Sequence, residues 1–322
     1  MSTMLAKFGI RSEDVQSEPM GFESTGRVLL LDGDSYCYEL AAKYKQLETM
    51  LRHYETRVRE VMFLTKSDAA RVHLTPKGCH KNGRHLLNTV KPYQGNRQGK
   101  PKPPLLEQLR GSLEHYFSVV PDIMVFNHYD IEADDALMID TYAIPNTCLV
   151  SADKDLQIAC TPSYCMTDYI ETRLPQGNRF GQIYETMTAG GKFKVKGKGT
   201  SFFWWQMLAG DKADNVQGIQ KYLGKLCGDV GAYNALAAIR CEHEAANLVL
   251  SGYMDIDQNP LPEAAALWLL RAPNDTAEGY IASLNLNNDV RSFINDCYQR
   301  EWKREASTEV SESAASCDSE AD

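Results

Sequence analysis

Short apolar runs alternate with helix-like segments along most of this chain. Four of the runs are apolar or β-branched enough for buried strands: Arg27 to Leu31, Val58 to Leu64, Ile123 to Phe126, and Cys148 to Ser151. Farther along, Phe202 to Asn215 is typical of a helix followed by a turn, and the stretch from about 230 to 300 has helical patterning. We therefore predict an α/β fold, with a mostly parallel central sheet flanked by helices and a helical C-terminal region.

Carboxylates follow each of these predicted strands closely. In strand order they are Asp32 and Asp34; Asp68; Glu132, Asp134 and Asp135; and Asp153 and Asp155. Because parallel sheets bind ligands at the carboxyl ends of their strands, we expect these acids to converge on one site. Packed carboxylates repel one another unless protons or cations neutralise them, and all-oxygen ligand sets favour Mg²⁺ or Mn²⁺ over zinc. The pattern predicts two divalent ions about 3.5–4 Å apart, an arrangement that activates water and stabilises a leaving oxygen.

Two short acidic motifs strengthen this prediction. In Glu132-Ala-Asp-Asp135 the first and third residues cannot share a helical face, so the motif suits a helix start, and helix capping is the alternative explanation. In Gly210-Asp-Lys-Ala-Asp-Asn215, Asp211 and Asp214 stand beside a glycine turn. Several such clusters in one domain favour a metal site over isolated surface acids.

Composition and charge limit the remaining choices. The chain has 322 residues and a net charge of −9, which by itself argues against nucleic-acid binding. Part of the acidity lies in Glu301 to Asp322, whereas Lys77 to Lys102 and Lys192 to Lys198 are basic. No apolar stretch is long enough to cross a membrane, and the N-terminus lacks the order of a signal peptide. We therefore predict a cytoplasmic protein without a membrane partner.

The cysteines and aromatic residues each have two interpretations. Nine thinly spread cysteines favour reduced thiols, with a zinc site near Cys79, His80 and His85, or near Cys160 and Cys165, as the alternative. The run from Phe202 to Trp205 favours core anchors over a base-stacking platform.

Four alternating lysines form a further candidate feature. On a strand, Lys192, Lys194, Lys196 and Lys198 would share one face and could follow a phosphate backbone. A solvated edge strand protected from aggregation by lysine is an equal alternative.

Five motifs now carry a family resemblance. They are Val28-Leu-Leu-Leu-Asp-Gly-Asp34, Tyr93-Gln-Gly-Asn-Arg97, Ile131-Glu-Ala-Asp-Asp-Ala136, Val150-Ser-Ala-Asp-Lys-Asp-Leu156 and Gly210-Asp-Lys-Ala-Asp-Asn-Val-Gln-Gly218. In order and spacing they resemble the phage-type 5′-nucleases of the flap endonuclease superfamily, over roughly residues 27 to 240. The resemblance implies a PIN/5′-nuclease-like core and a degenerate helix-hairpin-helix in the helical region.

The resemblance also implies roles for named residues. One metal ion would be held by Asp32, Asp68, Glu132 and Asp134, and a second by Asp153, Asp155 and Asp211. Asp134 would lie between the ions, and Asp135 and Asp214 would be shared or stand behind the direct ligands. Tyr93, Gln94 and Arg97 would act in catalysis. The nucleic-acid contacts would be Lys91, Lys100, Lys102, the four alternating lysines, and Gly218, Lys221 and Lys225 of the hairpin.

The domain organisation and activity follow from the same resemblance. We expect a loosely ordered leader (1–26), an α/β nuclease core (27–200) with a mobile basic arch (75–105), a helical DNA-binding region (201–300) and a disordered acidic tail (301–322). The implied activity is a 5′–3′ exonuclease or flap endonuclease of DNA replication that uses two Mg²⁺ or Mn²⁺ ions. Its substrate would be duplex DNA with a free 5′ end, flap or nick, or RNA in a hybrid. We expect a monomer, in the host cytoplasm if the protein is phage-encoded.

Two positions depart from the family pattern. The arch motif of the family is Tyr-Lys-x-Asn-Arg, whose lysine and arginine reach the scissile phosphate, and here Gln94 stands in the lysine place. The family hairpin is Gly-x-x-Gly-Ile-Gly-x-Lys, of which this chain keeps Gly218 and Lys225. This second departure leaves duplex binding and a K⁺ ion at the hairpin open.

Two other functions compete with the nuclease. In a haloacid-dehalogenase-like phosphatase, Asp32 would be the nucleophile and Asp34 the acid, but the acids of residues 132–135 and 153–155 would have no role. In a catalytically weakened DNA-end-binding protein, the mutual repulsion of so many acids would be a cost without purpose, because no metal ion would be needed.

Overall fold

A six-stranded sheet lies at the centre of the molecule, in the order β3-β2-β1-β4-β5-β6. The computed structural model describes residues 24–304 except 166–169, 176 and 189. The strands are β1 (Val28–Asp32), β2 (Ala69–Leu74), β3 (Ile123–Asn127), β4 (Thr147–Val150), β5 (Ser163–Cys165) and β6 (Ile170–Thr172). All neighbours pair in parallel except β5 and β6. The predicted mostly parallel sheet is confirmed, whereas the leader up to residue 23 and the tail from residue 305 lie outside the described residues.

Helices cover both faces of the sheet. They are α1 (Gly33–Lys43), α2 (Leu47–Thr65), α3 (Leu106–Phe117) and α4 (Ala133–Ala143). Successive side chains of a strand point to opposite faces, and β1 follows this rule. Leu29 and Leu31 pack in one apolar cluster with α2 and α3, while Leu30 packs in the other with Leu137 of α4. A strand that is apolar on both faces is therefore buried between two layers.

The C-terminal part is a hairpin followed by helices. The hairpin is β7 (Gln182–Met187) and β8 (Phe193–Lys198), and the helices are α5 (Thr200–Ala209), α6 (Asp229–Leu236), α7 (Glu242–Asp255), α8 (Leu261–Leu267), α9 (Ala277–Ala282) and α10 (Asn288–Gln299). In α5, all four aromatic residues from Phe202 to Trp205 are buried, and Trp204 donates to the Tyr280 hydroxyl at 3.1 Å. They are core anchors, as predicted. Among the described residues, no helix combines the length and apolarity needed to cross a membrane.

The predicted strand from Val58 to Leu64 is wrong, because those residues belong to the 19-residue helix α2. The buried positions Met50, Tyr54, Val58 and Val61 recur every three or four residues, which is the helical period. The apolar run was therefore one face of a long helix. The true second strand, β2, begins only at Ala69.

The segment predicted to be a mobile arch, residues 75–105, packs in part against the core. It contains two short 3₁₀ turns, Lys81–Leu86 and Gly95–Arg97. Arg84, Leu87 and Tyr93 are buried. From residue 98 to residue 102 the residues are exposed. The mobility of the arch stays a prediction.

A buried carboxyl group ties this segment to the helical region and makes stability depend on pH. Glu263 of α8 is 1% exposed, accepts from the Val90 backbone N–H at 2.8 Å, and burial raises its pKa to about 7. Because the folded pKa lies above the usual 4.5, the folded state loses stability as pH rises from about 4.5 to about 7.

We expect Glu263→Gln, which keeps the acceptor but cannot ionise, to stabilise the fold by about 3 kcal/mol at about pH 8 and hardly at all near pH 4. Urea unfolding at both pH values measures this. The control is Glu48→Gln, at a side chain that is 85% exposed. A gain from Glu263→Gln that is the same at both pH values would show that its charge is not the cause.

Candidate metal centre

Asp32 lies where β1 ends and α1 begins. Its side chain caps α1 by accepting from the Asp34 N–H at 3.1 Å. Its other oxygen accepts from Ser35 Oγ at 2.6 Å and Ser151 Oγ at 2.7 Å. Ser151 directly follows β4, which pairs in parallel with β1, so the carboxyl ends of the two strands meet here as predicted.

The start of α4 brings three acids to the same edge. Asp134 is partly buried, and loss of solvation followed by the charges of Asp153 and Asp32 raises its pKa well above the usual value. Asp135 is fully buried, and both its oxygens bind the Arg84 guanidinium at 2.7 Å. Its Oδ1 also accepts from the Leu270 N–H at 3.2 Å. Asp135 therefore anchors the helix start, and donors from Arg84 and Leu270 occupy its oxygens.

A second group of acids converges beside the first. Among the described residues, Asp155, Asp211 and Asp214 offer ligand oxygens that lie within 4.8 Å of one another. Asp211 sits in a tight turn whose backbone bonds to Val216 in both directions at 2.7 and 2.8 Å. The Asp155 N–H donates to Asp153 Oδ1 at 2.9 Å, which joins Asp153 to the group.

This centre is suited to divalent cations. Burial raises the pKa of Asp155 well above its usual value, and the charges of Asp153 and Asp211 raise it further against the opposing effect of Lys154. Burial also raises the pKa of Asp214, with the Arg97 guanidinium opposing it. Within the described part of the chain, Asp211 Oδ2 is buried and has no hydrogen-bond partner. An all-carboxylate set that includes a buried, unpartnered oxygen fits a divalent cation.

Glu132 accepts hydrogen bonds from two cations and a tyrosine. Tyr93 donates to it at 2.8 Å, Arg84 at 3.1 Å and Lys81 at 3.0 Å. Burial would raise its pKa, but the charges of Arg84 and Lys81 prevail and hold the pKa below the usual value. Glu132 is therefore ionised at neutral pH.

The motif from Tyr93 to Arg97 reaches the same centre through Asp214. Gln94 donates through Nε2 to Asp214 Oδ1 at 2.9 Å, and Arg97 Nη2 lies 2.6 Å from the same oxygen. Tyr93 donates to Asp214 Oδ2 at 3.3 Å. The structure thus brings the three predicted catalytic residues onto one carboxylate.

A cavity of about 540 Å³ opens over the centre. Its lining includes the acids Asp32, Glu132, Asp134, Asp153 and Asp214. Cations also line it, namely Lys77, Lys81, Arg97, Lys100, Lys102 and Arg110. Two of the predicted nucleic-acid contacts, Lys100 and Lys102, therefore face the centre, whereas Lys91 is exposed and does not line the cavity.

The assignment of Asp68 as a metal ligand is corrected. Asp68 precedes β2, where its backbone N–H bonds to the Arg27 carbonyl, while Asp32 pairs with His73 at the far end of the strand. Five residues of strand separate the two acids, roughly 16 Å at about 3.3 Å per residue. The side chain instead accepts from Ser24 and from the Gly26 N–H. The error follows directly from the misplaced second strand.

The alternating lysines are only partly as predicted. Lys194, Lys196 and Lys198 do lie on β8 and line a second cavity of about 550 Å³, which Ser35, Ser151 and Asp153 also line. Lys198 is buried rather than exposed, donates to Ser163 Oγ at 3.0 Å, and burial lowers its pKa to about 8. Lys192 is exposed and precedes the strand.

The residues predicted for the helix-hairpin-helix, Gly218, Lys221 and Lys225, lie in the segment between α5 and α6. Between α5 and α6 the chain forms turns, with a β-bridge between Tyr222 and Lys225. Gly218 adopts φ +70°, and a Cβ there would lie 2.8 Å from the Met207 carbonyl, so close packing on α5 explains this glycine. Lys221 and Lys225 are exposed.

Sequence reasoning missed several cations at the centre. Arg84, Lys154 and Arg110 contact Asp135, Asp211 and Asp34 at 2.7, 2.7 and 2.9 Å, and Lys81 contacts Glu132. No sequence motif marked these four cations, because each reaches its acid through tertiary contacts.

Neither protein-family models nor curated protein sequences match the chain. Among the solved structures that match its fold, the bacteriophage T5 D15 protein co-crystallised with metal ions is 16% identical, with a TM-score of 0.52, and the match covers 84% of this chain and 98% of that one. A point mutant of T5 5′-exonuclease is 13% identical, with a TM-score of 0.49 and coverage of 84% and 98%. A T5 D15 flap endonuclease complex with DNA and metal ions is 15% identical, with a TM-score of 0.46 and coverage of 84% and 99%.

The first of these matches spans nearly the whole T5 chain. It agrees with the mostly parallel sheet and the helical C-terminal region described above. This chain has the phage-type 5′-nuclease fold.

Proposed function

We propose that this protein is a divalent-metal-dependent nuclease that hydrolyses phosphodiesters at or near a 5′ end of DNA. The observation that carries the proposal is the convergence of Asp155, Asp211 and Asp214 beside a cavity that several cations also line. Carboxylates hold metal ions, and cations hold a phosphate backbone, so one cleft has the two properties that the reaction needs.

The described acids divide into two ligand groups. Asp32, Glu132 and Asp134 would hold one ion, and Asp153, Asp155 and Asp211 the other. Bound there, the ions would activate water and stabilise the leaving oxygen. The chain itself orients the ligands: Gln206 donates to Asp155 Oδ1 at 2.5 Å, and the Ala213 N–H donates to Asp211 Oδ1 at 2.7 Å. These donors fix the carboxylates before substrate arrives.

The substrate class rests on the shape and charge of the cleft. Arg97, Lys100 and Lys102 line the same cavity as the acids, so a DNA strand that enters it would meet cations beside the carboxylates. We propose DNA with a free 5′ end, a flap or a nick, with RNA in a hybrid as an alternative strand. Exposed Lys221 and Lys225 could contact duplex backbone, but the turn between α5 and α6 gives a K⁺ ion no specific support.

End-labelled flap, nicked duplex and single-stranded DNA test this proposal, each incubated with Mg²⁺, Mn²⁺ or EDTA. We expect cleavage with either metal, faster on substrates with a 5′ end, and none in EDTA. A chromogenic phosphate monoester tests the competing phosphatase. Hydrolysis of the monoester without strand cleavage would replace the nuclease by that alternative, and DNA binding without cleavage would favour the weakened DNA-end-binding protein.

The lysines of β8 offer a second path for the DNA strand. In the described part of the chain, neither Lys194 nor Lys196 forms an ion pair, and both line the cavity that shares Ser35 and Asp153 with the metal centre. Unneutralised lysines beside the cleavage site suit phosphates that continue past it.

Binding should therefore depend steeply on salt despite the net charge of −9. We expect Lys194→Ala combined with Lys196→Ala to make the slope of log affinity against log salt shallower by about 1–2, measured in EDTA between about 50 and 200 mM salt. The control is Lys43→Ala combined with Lys45→Ala, which removes the same charge near the C-terminal end of α1. Equal slopes in both double variants would exclude this strand path.

A further inference from the structure

Gln94 stands where the resembled family has a lysine, yet a lysine reaches the same place from elsewhere in the chain. Lys81 donates through Nζ to Gln94 Oε1. The same ammonium donates to Glu132 Oε1 at 3.0 Å. Gln94 in turn donates to Asp214 at 2.9 Å. Gln94 therefore holds the Lys81 ammonium group beside its own uncharged side chain, at the place where the resembled family has a lysine.

The backbone around Lys81 fixes this placement. Lys81 and Asn82 both have φ near +52°, a conformation that residues with a Cβ rarely adopt. The Asn82 N–H donates to the Asp130 carbonyl at 2.7 Å, and the Lys81 N–H donates to Cys79 Sγ at 3.3 Å. Two residues after Asn82, Arg84 is buried against Asp135. Contacts on both sides thus hold a turn that points Lys81 into the cavity.

Two other cations near the centre, Arg84 and Lys154, are committed to acids. Arg84 uses both Nη atoms on Asp135 and also binds the Trp268 carbonyl at 2.7 Å. Lys154 pairs with Asp211 at 2.7 Å, on the side of the second ligand group. A lysine ammonium has three donors, and within the described residues Lys81 uses two of them. One N–H is left for a phosphate oxygen.

We infer that Lys81 supplies, from a different place in the sequence, the ammonium that contacts the scissile phosphate in this protein. Gln94 orients it, and Arg97 contributes another cation of the cavity lining. This inference rests on the proposed nuclease function and adds to it a catalytic residue that lies outside the five sequence motifs.

A relocation experiment tests the inference. We expect Lys81→Ala to lower the single-turnover cleavage rate in Mg²⁺ by about 10²–10³-fold, the usual effect of losing one preorganised donor. Adding Gln94→Lys to Lys81→Ala should raise the single-turnover rate at least about tenfold above that of Lys81→Ala alone, because the charge returns to the same place. Lys45→Ala, the same charge loss on an exposed lysine before α2, should leave the rate unchanged.

Two binding measurements separate this role from a structural one. Calorimetry should show that Lys81→Ala binds Mn²⁺ at least as tightly as the wild type, because a cation beside Glu132 has been removed. DNA affinity in EDTA should fall by less than about threefold, since the other cations of the wall remain. Weaker Mn²⁺ binding, or no rescue by Gln94→Lys, would overturn the inference.

The outcomes also distinguish the inference from the function on which it rests. Lys81→Ala cleaving at the wild-type rate would overturn the role of Lys81 and leave the nuclease intact. A wild-type protein that cleaves none of the DNA substrates in Mg²⁺ or Mn²⁺ would overturn the proposed function itself.

Discussion

Asp155→Asn should lower the single-turnover rate of strand cleavage by about 10³-fold or more, while the fold and DNA binding persist. Asparagine keeps the shape of the side chain and its acceptor oxygen for Gln206, but it removes a charge from the group formed with Asp211 and Asp214. A metal ion contributes several kcal/mol to phosphoryl chemistry, and each 1.4 kcal/mol is about tenfold in rate. Asp153→Asn should behave in the same way.

The matched control is Asp296→Asn, the same chemical change on an exposed residue of α10. It should cleave at the wild-type rate. DNA affinity in EDTA should be equal or higher in Asp155→Asn, because a negative charge has left the cleft. Near-normal cleavage in Mg²⁺ by Asp155→Asn or Asp153→Asn would contradict the two-ion assignment.

Arg97→Ala should lower turnover by about 10²–10³-fold with a smaller loss of binding. The guanidinium lies 2.6 Å from Asp214, and its side chain is 50% exposed at the cavity mouth, so it can turn from the carboxylate to a phosphate. A guanidinium binds phosphate oxygens bidentately and stabilises charge as it develops. Lys100 and Lys102 still attract the strand in the variant.

Lys100→Ala is the comparison for Arg97→Ala. Lys100 lines the same cavity but makes no side-chain contact with the acids in the described structure, so its removal should weaken binding more than turnover. If the two variants change the single-turnover rate equally, and by less than about threefold, residues 77–102 act only as an exchangeable basic surface.

The acids at the sheet edge were predictable because local pattern and topology agree there. An apolar run followed by an acid predicts a buried strand with a ligand at its carboxyl end, and β1 with Asp32 and β4 with Asp153 obey that rule. Asp68 shows its limit. The run before it had the composition of a strand, but its helical period became visible only over the whole of α2.

Contacts made by long side chains could not be predicted from sequence. Lys81 meets Gln94 because Lys81, Asn82 and Gly83 all have positive φ and turn the chain toward the cavity, whereas a propensity rule assigns this conformation only to the glycine. Lys198 shares the alternation of Lys194 and Lys196, yet it is buried because β8 places it against Ser163 of β5. Both outcomes depend on tertiary packing between distant elements.

Anomalous diffraction from crystals grown with Mn²⁺ and uncleaved DNA tests the central claim most directly, since it locates the ions independently of activity. We predict two anomalous peaks, each from an Mn²⁺ ion that carboxylates coordinate directly. The ligands of one ion are Asp32, Glu132 and Asp134, and those of the other are Asp153, Asp155 and Asp211. The second peak should be lost in Asp155→Asn. Saturating Mn²⁺ with no peak at these carboxylates, in crystals of a protein that cleaves DNA, would contradict the account.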